Sequence, residues 1–404
     1  MRTVFLMILV AGCGSGRKAG PTVDHMDQGP LPFEEFDLAQ PVSTDLATTF
    51  DPDAACATAT VDAQVSSRAI DIIWVVDNSG SMAPAITQVQ QGLNAFAAAI
   101  SAKSIDYQIV LLSLRSPTSP ITVGGKQRFP VCVPTPLGGA ACGNGPHFFH
   151  SSIDIKSTQP LEHLLGTLGQ TAGYTDGEAR GGEAWAQVLR PTAHKSFVVV
   201  SDDDSRLLPS DFEHFAGGTN PFNSDTLPPG ILDASWMGAF DNYTFNGIYG
   251  WGSATNPSTM CTYANNTKPA SAGPHYTSLV TASGGVRAKI CDVASSWTTF
   301  LDDITKSVVQ ASLTCDLPIP APPMGVLDPA AINVAVNTGT SNTTLYKVAD
   351  ATACGTTGGW YYDNPTAPTH ITLCPTACTA AQQAITAAMG GRIVVQFGCQ
   401  SLIL

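Results

Sequence analysis

The stretch AIDIIWVVDNSGSM, residues 69–82, changes abruptly from apolar to small and polar. Its first part is a β-branched apolar run, which is typical of a strand buried on both faces of a parallel sheet. Its second part places Asp77, Ser79 and Ser81 directly after that strand. An aspartate with two serines can ligate a metal through oxygen atoms, or it can form a helix cap and a turn. The surrounding sequence distinguishes these two interpretations.

Strand and helix patterns alternate along the chain after this stretch. Residues 83–100 carry apolar side chains at helical spacing, and apolar strand patterns occur at 106–114, 147–155 and 195–205. Alternation of this kind predicts an α/β fold with a doubly wound, mostly parallel sheet. The remaining predicted elements are helices at 159–170, 182–189, 275–285 and 296–310 and strands at 243–251 and 286–291.

The predicted strand at 195–205 also ends in acidic residues. Its sequence KSFVVVSDDDS puts Asp202 just after the apolar run. Open parallel sheets bind ligands at the carboxyl ends of their strands, so we expect Asp202 to approach Asp77, Ser79 and Ser81. Mg²⁺ is typically bound by a small number of carboxylates. Because the hydroxyls are neutral, such a ligand set leaves positive charge for an anionic ligand. The sequence therefore favours a metal site over a cap and turn.

Residues 69–312 resemble a von Willebrand factor A domain. DNSGSM resembles the Asp-x-Ser-x-Ser motif of the metal-ion-dependent adhesion site of that family. The resemblance implies metal contacts from Asp77, Ser79 and Ser81 and a metal-linked role for Asp202. It also implies Mg²⁺, or Mn²⁺ or Ca²⁺ in its place, and binding of a protein or other acidic, oxygen-bearing ligand.

Two features depart from the family pattern. Ser201 and Asp203 stand where the family has Thr and Gly beside its strand-end Asp. The middle metal-linked Thr of the family has no clean match: GYTDGEARGGEAW offers Thr175, whereas spacing to the next helix favours Glu178. A carboxylate at that position would remove positive charge, so the site would prefer Ca²⁺ or bind its ligand more weakly.

The N-terminal residues have the pattern of a targeting segment. Arg2 and the apolar run TVFLMILVA predict a signal peptide over residues 1–12, too short to span a bilayer as a mature helix. VAGC, ending at Cys13, resembles a lipoprotein lipobox; an ordinary secretory signal is the alternative. Gly14 matches outer-membrane sorting in enteric-type bacteria. Residues 13–55 are acidic and Pro-punctuated, which predicts a disordered tether and a lipid-anchored outer-membrane protein of a Gram-negative bacterium.

Composition divides the folded part into two predicted domains. The vWA-like domain is assigned to 56–316. LPIPAPPMG, residues 317–325, has four prolines and is predicted to be a linker. Residues 326–404 contain short strand patterns and one helix, CTAAQQAITAAM, so a small β-rich domain stapled by disulfides is expected.

Cysteine usage indicates an oxidising compartment. The chain has eleven cysteines, and ten remain when Cys13 is set aside, which suits five disulfides. Connectivity does not follow from sequence, but the termini of a domain usually lie close together, which favours Cys56 with Cys315. The other expected pairs are Cys132 with Cys142, Cys261 with Cys291, and pairing within the C-terminal domain among Cys354, Cys374, Cys378 and Cys399.

Charge and motifs narrow the class of function. The net charge is −13 without a Lys/Arg-rich run, which argues against nucleic acid as a partner. The sequence lacks a Gly-x-Ser-x-Gly elbow, a His-Glu-x-x-His pair and a phosphate loop, which argues against an enzyme and leaves a metal-dependent hydrolase as the enzymatic alternative. A metal-dependent adhesion or assembly protein is the main hypothesis. The other alternative is a structural component with a vestigial metal motif, whose aromatic cluster GWYYDNP, residues 359–365, makes contacts or packs in a core.

Overall fold

The computed structural model describes residues 59–63, 68–103, 105–168, 183–295, 297–322, 327–338, 341–356, 358–387, 391–398 and 400–403. The chain clusters into two units, Met1–Ala55 and Cys56–Leu404, and all described residues belong to the second. The predictions for the signal peptide, the tether, Cys13, Cys56, Cys399, Thr175 and Glu178 therefore lie outside the described residues.

The described residues contain strands and helices in alternation, followed by a β-rich segment. The helices are α1 (Ala83–Ser101), α2 (Pro160–Leu168), α3 (Pro209–His214), α4 (Pro274–Ser283), α5 (Thr298–Ser312) and α6 (Pro375–Ala387). The strands are β1 (Ala59–Asp62), β2 (Ile70–Val76), β3 (Tyr107–Ser113), β4 (Ile121–Val123), β5 (Lys126–Arg128), β6 (Phe148–Ser152), β7 (His194–Val200), β8 (Gly218–Thr219), β9 (Thr226–Leu227), β10 (Thr244–Tyr249), β11 (Arg287–Lys289), β12 (Asp316–Pro318), β13 (Ile332–Asn337), β14 (Asn342–Leu345), β15 (Trp360–Tyr362), β16 (His370–Leu373) and β17 (Arg392–Phe397).

A parallel sheet of six strands dominates the described part of the chain. Its order is β11-β10-β7-β2-β3-β6, and every neighbouring pair is parallel. Every residue of β2 is buried, because alternate side chains enter cores on opposite faces. Ile72 and Trp74 pack with α1 and α5, whereas Ile73 and Val75 pack with α2 and α4. The predicted α/β class with a mostly parallel sheet is confirmed.

Helix α1 begins and ends close to its predicted bounds. A proline lies in its first turn, where a missing N–H costs no helical hydrogen bond. The apolar side chains at helical spacing are buried against the sheet, and Phe96 meets Trp74 edge-to-face with ring centroids 5.9 Å apart. One predicted helix is wrong: residues 182–189 contain only a 3-10 turn at Ala186–Val188 among those described. No helix of the described residues is long and apolar enough to cross a membrane.

The predicted domain boundaries need two corrections. Strand β1, assigned by sequence to the α/β domain, pairs with β17 at the edge of the antiparallel sheet β1-β17-β13-β14. Strand β12, assigned to the start of the linker, pairs with β16 in the sheet β12-β16-β15. Pro318 is tolerated there because β12 is an edge strand. Both strands are short, so their partners are chosen by long-range pairing and not by local pattern.

The aromatic cluster near residue 360 is core. Trp360 is fully buried, and Tyr362 is 5% exposed. The two rings meet edge-to-face at 5.1 Å and pack with Ile371 and Leu373. Of the two interpretations of GWYYDNP, packing within the β-rich segment therefore describes these two side chains.

Four disulfides join described cysteines. Two of them are the expected pairs Cys132–Cys142 and Cys261–Cys291, and a third, Cys354–Cys374, lies within the C-terminal segment as expected. The fourth is Cys315–Cys378, so the predictions that Cys315 pairs with Cys56 and that Cys378 pairs within the C-terminal domain are wrong. The reason is the hydrogen bond from Leu373 N–H to the Cys315 carbonyl, 2.8 Å, which brings the chain after α5 against the strand that leads into α6.

Removing the Cys315–Cys378 bridge should destabilise the protein more than removing Cys132–Cys142. The bridges close loops of 63 and 10 residues, and the loop-entropy model gives about 4 and about 3 kcal/mol respectively. Urea unfolding of the two double Cys→Ser variants measures the difference. An equal loss in both variants, or recovery of a Cys56–Cys315 peptide from a non-reducing digest, would contradict the assignment.

Candidate functional site

The predicted site residues lie where the strand order of the sheet reverses. From β2 the chain adds β3 and β6 on one side, then crosses to add β7, β10 and β11 on the other. The reversal falls between β2 and β7, and such a point leaves a crevice outside the carboxyl ends of the strands. Asp77 directly follows β2, and Asp202 follows β7 by two residues.

The structure brings all four predicted oxygen-bearing side chains together. Asp77 Oδ1 accepts a hydrogen bond from Ser79 N–H at 2.7 Å. Ser79 Oγ lies 3.2 Å from Ser81 Oγ, and Ser81 Oγ donates to Asp202 Oδ1 at 3.0 Å. These contacts join two segments 121 residues apart. The expectation that Asp202 meets the Asp-x-Ser-x-Ser loop therefore holds geometrically.

The loop also contains the turn that the alternative interpretation predicts. The contact of Asp77 with the N–H two residues on is an Asx turn, which such sequences form in any case. Ser79 occupies the N-cap of the short helix Gly80–Met82, yet its side chain makes no cap hydrogen bond. A cap and turn account for the Asp77–Ser79 contact, but they do not require Ser81 to face Asp202.

The electrostatics of the site favour a cation. Burial, and then the charge of Asp202, raise the pKa of Asp77 to about 7, against hydrogen bonds from Ser79 and Ser201 that lower it. Burial and the charge of Asp203 also raise the pKa of Asp202. Two neighbouring carboxyls that resist ionisation gain from a bound cation, which requires both as carboxylates.

The donor set fits a hard divalent cation. Two carboxylates and two hydroxyls supply only oxygen, as Mg²⁺ prefers, and leave positions for water or a ligand. Among the described residues, no three His, Cys, Asp or Glu side chains cluster closely enough to hold a metal, so these hydroxyls would be needed as ligands. Thr175 and Glu178, the candidates for a further ligand, lie outside the described residues.

Asn78, which sequence analysis passed over, holds the loop in place. Its amide group donates to Ser113 Oγ at 2.7 Å and to the Phe129 carbonyl at 2.9 Å. Its Oδ1 accepts from the N–H groups of Leu114, 2.9 Å, and Ile155, 3.3 Å. The side chain is fully buried, so one amide satisfies four polar groups on three neighbouring segments. Only its position in a motif-bearing loop could have drawn notice to it.

Ser201, noted only as a departure from the family pattern, positions Asp77. Its hydroxyl lies 3.0 Å from Asp77 Oδ2 and 3.3 Å from the Ser157 carbonyl. The hydroxyl therefore performs a hydrogen-bonding role that a Thr could also perform.

The fully buried Tyr276 lies near Ser201. Burial and the charges of Asp204 and Asp77 raise the pKa of Tyr276 well above its ordinary value.

Asp204, the last acid of the run 202–204, contacts helix α4 and not the predicted metal ligands. Asp204 accepts from the backbone N–H of His275 at 3.2 Å, and its carboxylate lies 3.1 Å from His275 Nδ1. Asp204 thus caps the first turn of α4. The contact also places a histidine beside the acidic run, 71 residues away in sequence, which spacing alone did not reveal.

Comparisons with known proteins add little. No protein-family model matches the chain, and no curated protein matches it. Among solved structures, the chain is similar to the pilus adhesin SpaC from Lactobacillus rhamnosus GG in its open conformation, at 10% identity and a TM-score of 0.27. The alignment covers 83% of this chain and 39% of the adhesin, so the chain spans about two fifths of that protein.

Proposed function

We propose that this protein is an exported binding protein that holds a divalent cation and, through it, an acidic group of a protein ligand. Asp77, Ser79, Ser81 and Asp202 would hold the cation, with Mg²⁺ first and Mn²⁺ or Ca²⁺ as alternatives. The observation that carries the proposal is the contact of Ser81 with Asp202, which joins the loop after β2 to the end of β7 at the strand-order reversal.

The chemistry of such a site is ligand capture. Only the two carboxylates of the site carry negative charge, because the serine hydroxyls are neutral, so the ligand set does not over-neutralise a divalent cation. A partner carboxylate can then complete the coordination shell at an open position, where it meets a cation in a partly buried setting. The rigid sheet holds Asp77 and Asp202 in place, so little reorganisation is needed on binding.

A von Willebrand factor A domain is the family we propose for the α/β part. The Asp-x-Ser-x-Ser loop, the strand-end Asp202 and a parallel sheet with helices packed on both faces support that assignment. Adhesion or assembly at a surface is the role that follows from it.

We also propose export and a lipid anchor. Four disulfides among described cysteines are compatible with an extracellular or envelope protein. Lipidation at Cys13 and an outer-membrane location rest on the sequence pattern alone.

Divalent cations should stabilise the full chain against heat. At a concentration a hundred times the dissociation constant, a cation that binds only the folded state adds about 2.7 kcal/mol, or several degrees in Tm. Thermal unfolding in EDTA and then in Mg²⁺, Mn²⁺ or Ca²⁺ measures this and ranks the cations. Ser81→Ala should lose most of the increment.

Ser253→Ala is the matched control, because Ser253 is a half-buried serine that makes local hydrogen bonds within residues 253–256. It should keep the full metal-dependent rise. Absence of any rise in the unaltered protein, with all three cations, would defeat the proposed function.

A further inference from the structure

We propose that Arg287 and Lys289, which lie over the ring of Trp251, form a second contact for the ligand, and that the ligand is an acidic polypeptide. One carboxylate of the ligand would complete the metal site and another would meet the two cations. This inference rests on the proposed function, because it assigns the ligand class of the same edge of the sheet.

The strand register places the cations at that edge. Lys289 is paired with Tyr249, the last residue of β10. Ser201 N–H donates to the carbonyl of Ile248, so Tyr249 is level with the start of the acidic run. Strand β11 lies two strand spacings from β7, which is about 10 Å across the sheet.

A short chain of contacts links Trp251 to the metal site. Ser271 N–H donates to the carbonyl of Asp202 at 3.2 Å. The carbonyl of Ser271 lies so close to Gly250 that an added Cβ would meet it at 1.9 Å. Trp251 is therefore one residue from a segment in direct contact with Asp202.

The same proximity is visible from helix α4. Arg287 Nη1 lies 3.4 Å from Thr277 Oγ1 near the start of that helix. His275, two residues before Thr277, contacts Asp204. The guanidinium of Arg287 thus lies beside the helix end that packs on the acidic run.

Arg287 and Lys289 are held against an aromatic ring and not by a carboxylate. The Arg287 guanidinium lies 4.3 Å and the Lys289 ammonium 5.4 Å from the centroid of the Trp251 ring. Neither makes an ion pair within the described residues, whereas ion pairs there occupy Arg115, Arg128, Arg190, Lys195, Arg206, Lys306 and Arg392.

In a chain of net charge −13, two adjacent cations that form no ion pair with a carboxylate of the described residues leave local positive charge to be matched. Stacking on an aromatic face orients both side chains, and it does not itself occupy their hydrogen-bond donors.

The geometry fits a polypeptide better than an anionic polysaccharide. A guanidinium fork matches a carboxylate in a bidentate manner. Side chains on one face of an extended peptide recur about every 7 Å. The separation of about 10 Å between the metal site and the Arg287–Lys289 pair therefore lies between the separation of residues two apart and that of residues four apart. The ring face of Trp251, which could otherwise stack on a sugar, is covered by the cations.

Fluorescence anisotropy of labelled poly-L-glutamate with the full chain in Mg²⁺ tests the inference. The double variant Arg287→Gln/Lys289→Gln should weaken binding at least about tenfold, because both charged contacts are lost. Its metal-dependent rise in Tm should be unchanged. The single variant Arg287→Lys should retain only part of the affinity of the unaltered protein, since an ammonium lacks the two-pronged donor geometry of a guanidinium.

Lys306→Gln is the matched control, because Lys306 is an exposed cation on α5 paired with Asp303. It should bind poly-L-glutamate as tightly as the unaltered protein. Metal-dependent binding that the double variant leaves intact overturns the inference and spares the proposed function. Metal-independent binding that the double variant abolishes would keep the contact at Arg287 and Lys289 and would count against the proposed metal-dependent function. Tighter binding of alginate than of poly-L-glutamate overturns the polypeptide as ligand.

Discussion

In EDTA and above about pH 8, the Asp77→Asn variant should be more stable than the unaltered protein, by roughly 4 kcal/mol. The cause is the buried carboxyl of Asp77, which is fully enclosed at the end of β2. Asn keeps the shape and can accept from Ser79 N–H, while its amide N–H can donate to Ser201 Oγ. The variant therefore removes a charge that burial disfavours without removing the loop contacts.

The sign follows from the pKa of Asp77, which rises from 3.8 to about 7 on folding. Below about pH 4 the Asp77 carboxyl is protonated in both states, so its burial carries no ionisation penalty. Between about pH 4 and about pH 7 the unfolded chain releases its proton first, so stability falls as pH rises. The variant has no such group and should lack this part of the slope.

Mg²⁺ should narrow the difference in stability between the two proteins. The cation requires the carboxylate, so its stabilising effect is largest above about pH 7 and fades below it, with proton release on binding. The unaltered protein gains stability from Mg²⁺ and the variant does not. Urea unfolding across pH, with and without Mg²⁺, measures both effects in one set of curves.

Asp71→Asn is the control on the same strand. Asp71 is equally buried, but it lies at the amino end of β2, paired with Arg190 and Lys195. That variant should lose stability and still keep the full increment from Mg²⁺. An Asp77→Asn protein that still gains stability from Mg²⁺ would rule out Asp77 as a ligand.

Replacing Asn78 by Ala should cost about 4 kcal/mol or more. Four buried polar groups would lose their partner, and each unmade buried hydrogen bond costs about 1–3 kcal/mol. The loss should also weaken Mg²⁺ binding, because Asn78 ties the loop that carries Asp77 and Ser79 to the end of β3. Urea unfolding in EDTA and metal titration of the same variant separate the two consequences.

Asn94→Ala provides the comparison. Asn94, on α1, makes two hydrogen bonds, one to the Pro134 carbonyl at 3.2 Å and one from Leu137 N–H at 3.0 Å, at a more exposed position. It should cost about 1–2 kcal/mol and leave metal binding unaltered. Similar losses in the two variants would mean that the Asn78 network contributes no more than an ordinary loop contact.

The local sequence pattern was sufficient to predict the strands and helices that bury a whole face. The apolar run 70–76 can only be a strand with both faces covered, and the spacing over 83–100 can only present one apolar stripe. Because strand-end loops inherit their position from the strand, Asp77 and Asp202 could be placed at one edge before any contact was known. Most disulfides that close short loops were also predictable, since few partners lie within reach.

The sequence by itself determined the α/β class, the strand β2 with its Asp77-Ser79-Ser81 loop, and the strand-end position of Asp202. Only the tertiary structure decided that β1 joins β17, that Cys315 bonds Cys378, and that Asn78 and Ser201 hold the site. The physical reason is range. Burial periodicity is written in neighbouring residues, whereas a strand edge, a thiol or an amide selects its partner by what the completed fold brings within hydrogen-bonding or bonding distance.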